Sequence, residues 1–95
     1  MRPVIVVSHD GFNEEPNWRT IIVVPLSTSI NQARRELTSI PLFAGEGGLP
    51  HDSVALCHQV TTLDKAKVRE KLGSLSQSEM IEIETGLKES MRLRA

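Results

Sequence analysis

Two runs of β-branched and apolar residues constrain the fold of this chain more than any other feature. The first covers residues 3–8 and the second about residues 19–26. Segment 9–18 between them contains Asp, Gly, Asn and Pro, which are typical of turns. The pattern therefore predicts two antiparallel strands joined by a loop. Because the first run has almost no polar residue, we expect its strand to be buried on both faces.

Antiparallel pairing of these strands has a chemical consequence. Arg2 precedes the first strand and Ser27 follows the hydrophobic part of the second. Pairing places both at the same end of the sheet. A guanidinium and a hydroxyl that converge on one spot suit the binding and cleavage of a phosphodiester.

The middle of the chain has the pattern of short strands and loops. Residues 36–42 alternate polar and apolar side chains, which predicts a half-buried strand. Residues 45–50 hold three glycines and a proline and predict a loop. Residues 54–57 and 59–63 predict two short strands or one bent strand. A short helix or turn is expected over residues 64–71.

The C-terminal part predicts an amphipathic helix. Ser76 and Glu79 have the spacing of a capping box, with Ser76 as N-cap. Apolar residues at steps of three and four predict one apolar stripe on this helix, formed by Met80, Ile83, Leu87 and Met91. The helix should end near Leu93. The expected architecture is α+β: a small curved antiparallel sheet or half-barrel with a C-terminal helix, in a single domain over residues 1–95.

Composition limits the class of protein. Ninety-five residues suffice for one small domain with a marginal core. The balance of 11 basic and 12 acidic residues gives no electrostatic signature of nucleic-acid binding. A single cysteine fits a reducing cytoplasm, and no run is long enough for a membrane span. The three histidines lack the spacing of metal ligands, so we expect neither a metal nor another cofactor.

Three motifs carry a family resemblance. They are Arg2-Pro3 before the first strand, Val24-Pro25-Leu26-Ser27 at the end of the second, and segment 52–64. Their order resembles the MazF/PemK family of toxin endoribonucleases over nearly the whole chain. The resemblance implies an SH3-like half-barrel of the CcdB/PemK type. It also implies a toxin of a toxin–antitoxin system, a metal-independent, sequence-selective endoribonuclease that cleaves single-stranded RNA by attack of the 2′-OH.

The resemblance assigns roles to particular residues. Arg2 is the expected catalytic residue for transition-state charge, because a guanidinium keeps its proton near neutral pH. Ser27 is the second expected catalytic residue, orienting the phosphate or the 2′-OH. Apart from the resemblance, residue type and charge suggest RNA contacts by Thr28, next to Ser27, and by Arg34, Arg35 and Lys65. Composition alone favours a solvated Arg2 and a Ser27 that caps a turn.

Partners follow from the same resemblance. We expect a homodimer that binds single-stranded RNA across the dimer face and is neutralised by a cognate antitoxin whose disordered tail folds onto it. DNA would be contacted only indirectly, through the antitoxin. No membrane contact is expected.

The chain also departs from the family pattern. His58 stands where many relatives have an acidic residue, and Thr61 stands where many have Arg. Relatives have about one more strand and a loop before the position of Arg2, so we expect an unpaired sheet edge and weak activity of this form. One alternative is an inactive relative that binds RNA or antitoxin. A gyrase poison of the CcdB type is a further alternative. CcdB-like toxins need a C-terminal Trp-Gly-Ile, whereas the only Trp of this chain is at position 18, which argues against this alternative.

Overall fold

The computed structural model describes residues 2–29 and 38–91. Within them, five strands form one antiparallel sheet. In chain order the elements are β1 (Val4–Val6), α1 (Asp10–Asn13), β2 (Thr20–Ser27), β3 (Ser39–Leu42), β4 (Ser53–Leu56), β5 (Thr61–Asp64) and α2 (Gln77–Met91), with 3₁₀ turns at Glu46–Gly48, Cys57–Gln59 and Lys65–Lys67.

Strand β2 is the central strand of the sheet and pairs with three other strands. One of its edges pairs with β1, from Val6 opposite Val23 to Val4 opposite Pro25. Its other edge pairs first with β5 and then, near Ser27, with β4. Strand β3 pairs with the far side of β4. A strand that serves two successive partners must bend, and this bend makes the sheet a half-barrel.

Pro25 lies where β2 changes partner. The β5 ladder covers β2 from Thr20 to Val23, and the β4 ladder begins at Leu26. Pro25 has no N–H and could not donate to either strand. Its place between the two ladders therefore costs no hydrogen bond, which explains how a proline fits inside the longest strand.

Strand β1 differs from its sequence-based prediction. It has three residues instead of six, and of these only Ile5 is buried, while Val6 is 39% exposed. The expectation of burial on both faces is wrong. The physical reason is that only one face of β1 packs on the core: Ile5 lies on that face, and Val6 lies on the other. Within the described part of the chain no strand pairs with its outer edge.

Helix α2 packs on the sheet through a short stripe. Ile83 is fully buried in the core, with Met80 and Leu87 packed against it. Met91, the fourth member of the predicted stripe, is exposed. The core itself is aliphatic and contains Ile5, Val24, Leu26, Leu42, Leu49, Ala55, Cys57 and Ile83.

The predicted capping box at the start of α2 is confirmed in both directions. The Glu79 N–H donates to Ser76 Oγ at 3.1 Å, and the Ser76 N–H donates to a Glu79 carboxylate oxygen at 2.6 Å. The predicted end near Leu93 lies outside the described residues.

The fold class is confirmed: the structure is a small, open antiparallel sheet with a C-terminal helix. Segment 54–63 forms two strands separated by a 3₁₀ turn, the first of the two expected forms. The predicted strand 36–42 is present from Ser39 to Leu42, and its first residues lie outside the described ranges. No helix among the described residues is long and apolar enough to cross a membrane.

Candidate active site

Four strands contribute to one end of the half-barrel. The antiparallel pairings place the start of β1, the end of β2, the start of β4 and the end of β3 side by side. At this end, which we call the Arg2 end, the described side chains include Arg2, Ser27, Thr28, Phe43, His51, Asp52 and Ser53. A guanidinium, hydroxyls, an imidazole and an aromatic ring are therefore found at the same end of the sheet.

Arg2 and Ser27 are neighbours across the ladder. The Leu26 N–H donates to the Pro3 carbonyl at 3.3 Å, so the pairing of β1 with β2 continues beyond Val4. The same register puts Arg2 opposite Ser27. Directly opposite residues have Cβ atoms about 5 Å apart and point to the same face. The sequence-based expectation that these residues lie at one sheet end agrees with this register, while their catalytic roles stay a prediction.

The Arg2 guanidinium is open to a ligand. Its side chain is exposed, and no described carboxylate forms an ion pair with it. The face it shares with Ser27 is opposite to the one on which Val24 and Leu26 contact the helix-side core. A phosphate bound there would lie on the side of the sheet away from α2.

The Ser27 hydroxyl already has one structural task. Its oxygen accepts a hydrogen bond from the Ser29 N–H at 3.1 Å, which forms a turn after β2. A hydroxyl that accepts in this way can still donate its proton to a phosphate oxygen. The turn-capping and phosphate-binding interpretations of Ser27 are therefore compatible. Thr28 follows as an exposed side chain in the same turn.

Two hydrogen bonds fix the segment before β4. The Ala44 N–H donates to an Asp52 carboxylate oxygen at 2.8 Å, and the Ser53 hydroxyl donates to the His51 carbonyl at 2.9 Å. The first bond ties Asp52 to the loop after β3, and the second is local to residues 51–53. Phe43, directly before Ala44, leaves its ring 61% exposed at this end.

Lys65 lies at the opposite end of β2. Asp64, its neighbour, pairs with Thr20 and not with Ser27, which puts about 20 Å of strand between Lys65 and the Arg2 end. The Lys65 ammonium donates to the carbonyls of Phe12 and Glu15 at 2.8 and 2.9 Å and so holds the loop after α1. Contact with RNA by Lys65 stays a prediction. Arg34 and Arg35 lie outside the described residues.

Cys57 is not part of this site. Its side chain is fully buried beneath α2, and burial raises the pKa of its thiol to about 11. The thiol therefore keeps its proton at neutral pH and packs without reacting. Among the described residues, no group of three or more His, Cys, Asp and Glu side chains forms a set of metal ligands.

Comparison with known proteins identifies the class of this fold. A family model described as "PemK-like, MazF-like toxin of type II toxin-antitoxin system" matches residues 1–91. The fold is thus one used by toxins of type II toxin–antitoxin systems. Within that class, the chain belongs to the PemK-like, MazF-like toxin family.

Individual relatives agree with this placement. The chain is 37% identical to "Endoribonuclease MazF" of Staphylococcus epidermidis over 93 residues, which is 98% of this chain and 75% of that protein. Among solved structures, "Mycobacterium tuberculosis toxin MazF-mt6" superposes with a TM-score of 0.83 at 22% identity, covering 99% of this chain and 89% of that one. An "Endoribonuclease in complex with its cognate antitoxin from Mycobacterial species" has a TM-score of 0.81 at 21% identity, with coverage of 99% and 84%.

Sequence reasoning missed two side chains at the Arg2 end. His51 and Phe43 are far from Arg2 and Ser27 in the chain, and no local motif links them. Only the pairing of β4 with both β2 and β3 brings them to this end. The sequence offers one local signal, since Phe43 directly follows a short strand and His51 lies two residues before another.

Proposed function

We propose that this protein is the toxin of a toxin–antitoxin system and acts as a metal-independent endoribonuclease on single-stranded RNA. The observation that carries the proposal is the register that sets Arg2 opposite Ser27 at an exposed sheet end. Membership of the PemK-like, MazF-like family and similarity to a protein named as an endoribonuclease support the same activity.

The proposed chemistry is attack of a ribose 2′-OH on the adjacent phosphorus. This forms a 2′,3′-cyclic phosphate and releases a 5′-OH. Negative charge grows on the non-bridging oxygens in the transition state, where the Arg2 guanidinium stabilises it. The Ser27 hydroxyl donates to one of these oxygens and orients the phosphate. DNA lacks the attacking 2′-OH and is not a substrate.

RNA binding at this end needs contacts beyond the phosphate. We propose Thr28 as a hydroxyl contact and the exposed ring of Phe43 as a surface on which one base stacks. Arg34 and Arg35 remain proposed phosphate contacts, and Lys65 would meet RNA only beyond the Arg2 end. Sequence selectivity would arise where bases leave the stack and meet this end.

Substitution of Arg2 tests the role of the guanidinium. We expect Arg2→Ala to reduce single-turnover cleavage of an RNA oligonucleotide about a hundredfold or more, because transition-state charge loses its partner. The dissociation constant for a non-cleavable 2′-deoxy analogue should change far less. Arg19→Ala is the matched control, since Arg19 is also exposed but precedes β2 at the other end. Equal cleavage by wild type and Arg2→Ala would remove Arg2 from the mechanism, and binding without cleavage by the wild type would favour an RNA-binding module.

Chelation tests the metal independence of the reaction. We expect the cleavage rate to be unchanged by EDTA, because the proposed mechanism draws charge stabilisation from Arg2 and not from a cation. The control is a metal-dependent nuclease treated in the same buffer. Loss of cleavage on chelation, with recovery on addition of a divalent ion, would show that the mechanism is wrong.

The proposed partners complete the function. A cognate antitoxin is expected to neutralise the toxin in the cytoplasm, and similarity to a structure solved with its antitoxin supports this partner. We also propose a homodimer as the functional unit. Contact with DNA would be indirect and would occur through the antitoxin.

A further inference from the structure

The outer edge of β1 presents backbone groups that no described strand bonds. Pro3 and Val7 face β2: the Pro3 carbonyl accepts an N–H at 3.3 Å, and the Val7 N–H donates to a carbonyl at 2.9 Å. Successive residues of a strand direct their N–H and C=O groups to alternate sides, so those of Val4 and Val6 point away from β2. In the part of the chain that the structure describes, no strand lies on that side.

This edge also lacks the features that keep strand edges apart in many proteins. Charged side chains, bulges and prolines that remove an outward N–H discourage pairing. The segment Val4–Val6 carries no charge, and its register with β2 is unbroken. Pro3 lacks an N–H only on the side that faces β2, so no outward donor is lost. The outer edge is therefore able to pair with another strand.

We propose that the outer edge of β1 binds the same edge of a second copy of this chain, as two antiparallel strands about a two-fold axis. Such a contact is self-complementary, because each edge supplies the donors and acceptors that the other needs. It also covers the exposed side chain of Val6. The inference rests on the homodimer proposed above and assigns its interface, and it does not depend on RNA cleavage.

Apolar contact and free N–H groups select one register. When Val4 of one copy lies opposite Val6 of the other, Ile5 lies opposite its own counterpart and the four valine side chains share one face. Each Val4–Val6 pair exchanges two hydrogen bonds, which gives about four in the interface. A shift of two residues in one direction places the exposed Val6 beside Arg2. The shift in the other direction needs Ser8, whose N–H already bonds to β2.

This dimer has a consequence for the Arg2 end. A two-fold axis that relates neighbouring antiparallel strands is perpendicular to the sheet, so each face of the sheet is continuous across the two copies. The two Arg2 residues then lie on the same face, about 20 Å apart along the strands, since Arg2 of one copy lies beside Ser8 of the other. One RNA strand can therefore contact both ends.

Disulfide formation at this register tests the interface. Val4→Cys, Val6→Cys and an equilibrated equal mixture of the two variants are oxidised under the same conditions. We expect the mixture to give several-fold more cross-linked dimer than either variant alone. The reason is that only unlike positions are directly opposite, with Cβ atoms about 5 Å apart, whereas like positions are diagonal at about 7–8 Å. The native Cys57 does not compete, because it is buried and the pKa of its thiol is raised to about 11.

A second variant tests the hydrogen bonds of the edge. Val6→Pro removes an N–H that points outward and leaves the ladder to β2 intact, and an edge position tolerates proline. We expect its dimer dissociation constant, measured by analytical ultracentrifugation, to rise about tenfold or more, with a circular dichroism spectrum close to that of wild type. The control Val6→Thr keeps the N–H and the branched shape, and its dissociation constant should stay within a few fold of the wild-type value.

Other outcomes separate this interface from the proposed homodimer and from RNA cleavage. A wild-type dimer with equal cross-linking in all three samples, or with a Val6→Pro variant that associates as tightly as wild type, would overturn the interface and leave the homodimer standing. A wild-type chain that stays monomeric at high concentration would overturn both. Slow hydrogen exchange of the Val6 N–H in that monomer would show that a segment other than a second copy covers the edge. RNA cleavage by the wild type is measured separately and decides the proposed activity alone.

Discussion

Single residues in this chain combine structural and chemical tasks. Ser27 closes a turn with its oxygen and keeps its proton for a ligand. The Lys65 ammonium donates hydrogen bonds to two backbone carbonyls, although its charge alone suggested an RNA contact. The structural use of a polar group is set by its hydrogen-bond partners, and these follow from the tertiary fold and not from residue type.

A pair of carboxyl groups gives a prediction at this scale. Glu46, in a 3₁₀ turn, has its pKa raised mainly by a hydrogen bond to Glu79, while the Ser76 N–H lowers the pKa of Glu79. A carboxyl group whose pKa is raised by folding stabilises the fold at low pH, and this contribution is lost as the pH rises through the raised pKa. At neutral pH both carboxylates are charged and repel each other. We therefore expect Glu46→Gln, whose amide donates to Glu79 at any pH, to melt at a higher temperature than wild type near pH 7.

The pH dependence provides the control for this prediction. The difference in melting temperature should shrink on acidification, beginning above the usual pKa range of a glutamate, because wild-type Glu46 with its raised pKa then regains its proton. Glu89→Gln removes the same charge from the exposed face of α2 and should show no such convergence. A difference in melting temperature that is absent near neutral pH, or that grows on acidification, would contradict the interpretation. In that case a proton between Glu46 and Glu79 would not stabilise the fold.

The candidate site was predictable only in part. Arg2 and Ser27 flank two adjacent strands, so a hairpin pattern and a register are enough to bring them together. His51 and Phe43 depend on β2 leaving β5 for β4, which is a long-range pairing with no local signature. A pattern of period two identifies a strand but does not name its partner.

Whole elements show the same division between local and long-range information. The capping box of α2 was predictable because its bonds join residues three apart. The edge position of β1 was not, because its composition equals that of a buried strand while its exposure depends on its place in the sheet. The stripe of α2 similarly ends at Leu87, since Met91 lies beyond the sheet it would cover.

The packing of α2 supports a prediction about Gly86. This residue is buried, and a Cβ atom added to it would lie 2.7 Å from Cys57 Sγ and 3.1 Å from Ile40 Cγ1. Alanine favours helices over glycine by about 1 kcal/mol, but overpacking costs about 1–3 kcal/mol. We expect Gly86→Ala to lower the free energy of unfolding by about 1 kcal/mol net, measured by urea denaturation with an unchanged m-value.

Repeating Gly86→Ala in a variant that lacks the Cys57 sulfur isolates the cause of the stability loss. In Cys57→Ala the sulfur is absent, so the additional cost of Gly86→Ala should be smaller than in the wild-type background. Higher stability of Gly86→Ala alone would mean that the helix moves away from Cys57 at no cost. Equal penalties in the two backgrounds would point to Ile40 as the limiting contact.

At the scale of the whole molecule, the outer edge of β1 has no partner strand among residues 2–29 and 38–91. Pro3 and Val7 bond to β2, so the N–H and carbonyl groups of Val4 and Val6 point outward. Val6 on β1 is also exposed, at 39%, and Ile22 on β2 is exposed at 44% on the opposite face of the sheet. A small domain with a marginal core gains stability when such surface is covered.

Association of two copies is therefore the expected state in solution. Light scattering at micromolar concentration should give about twice the 10.5 kDa of the chain. Because the surface to be covered includes the exposed apolar side chain of Val6, the dimer should persist at about 1 M salt, where exposed charge pairs are screened. Dilution should lower the mass and the melting temperature together, since binding stabilises the folded chain by mass action. A well-folded monomer whose mass and melting temperature stay constant up to high concentration would show that the single chain is the stable unit.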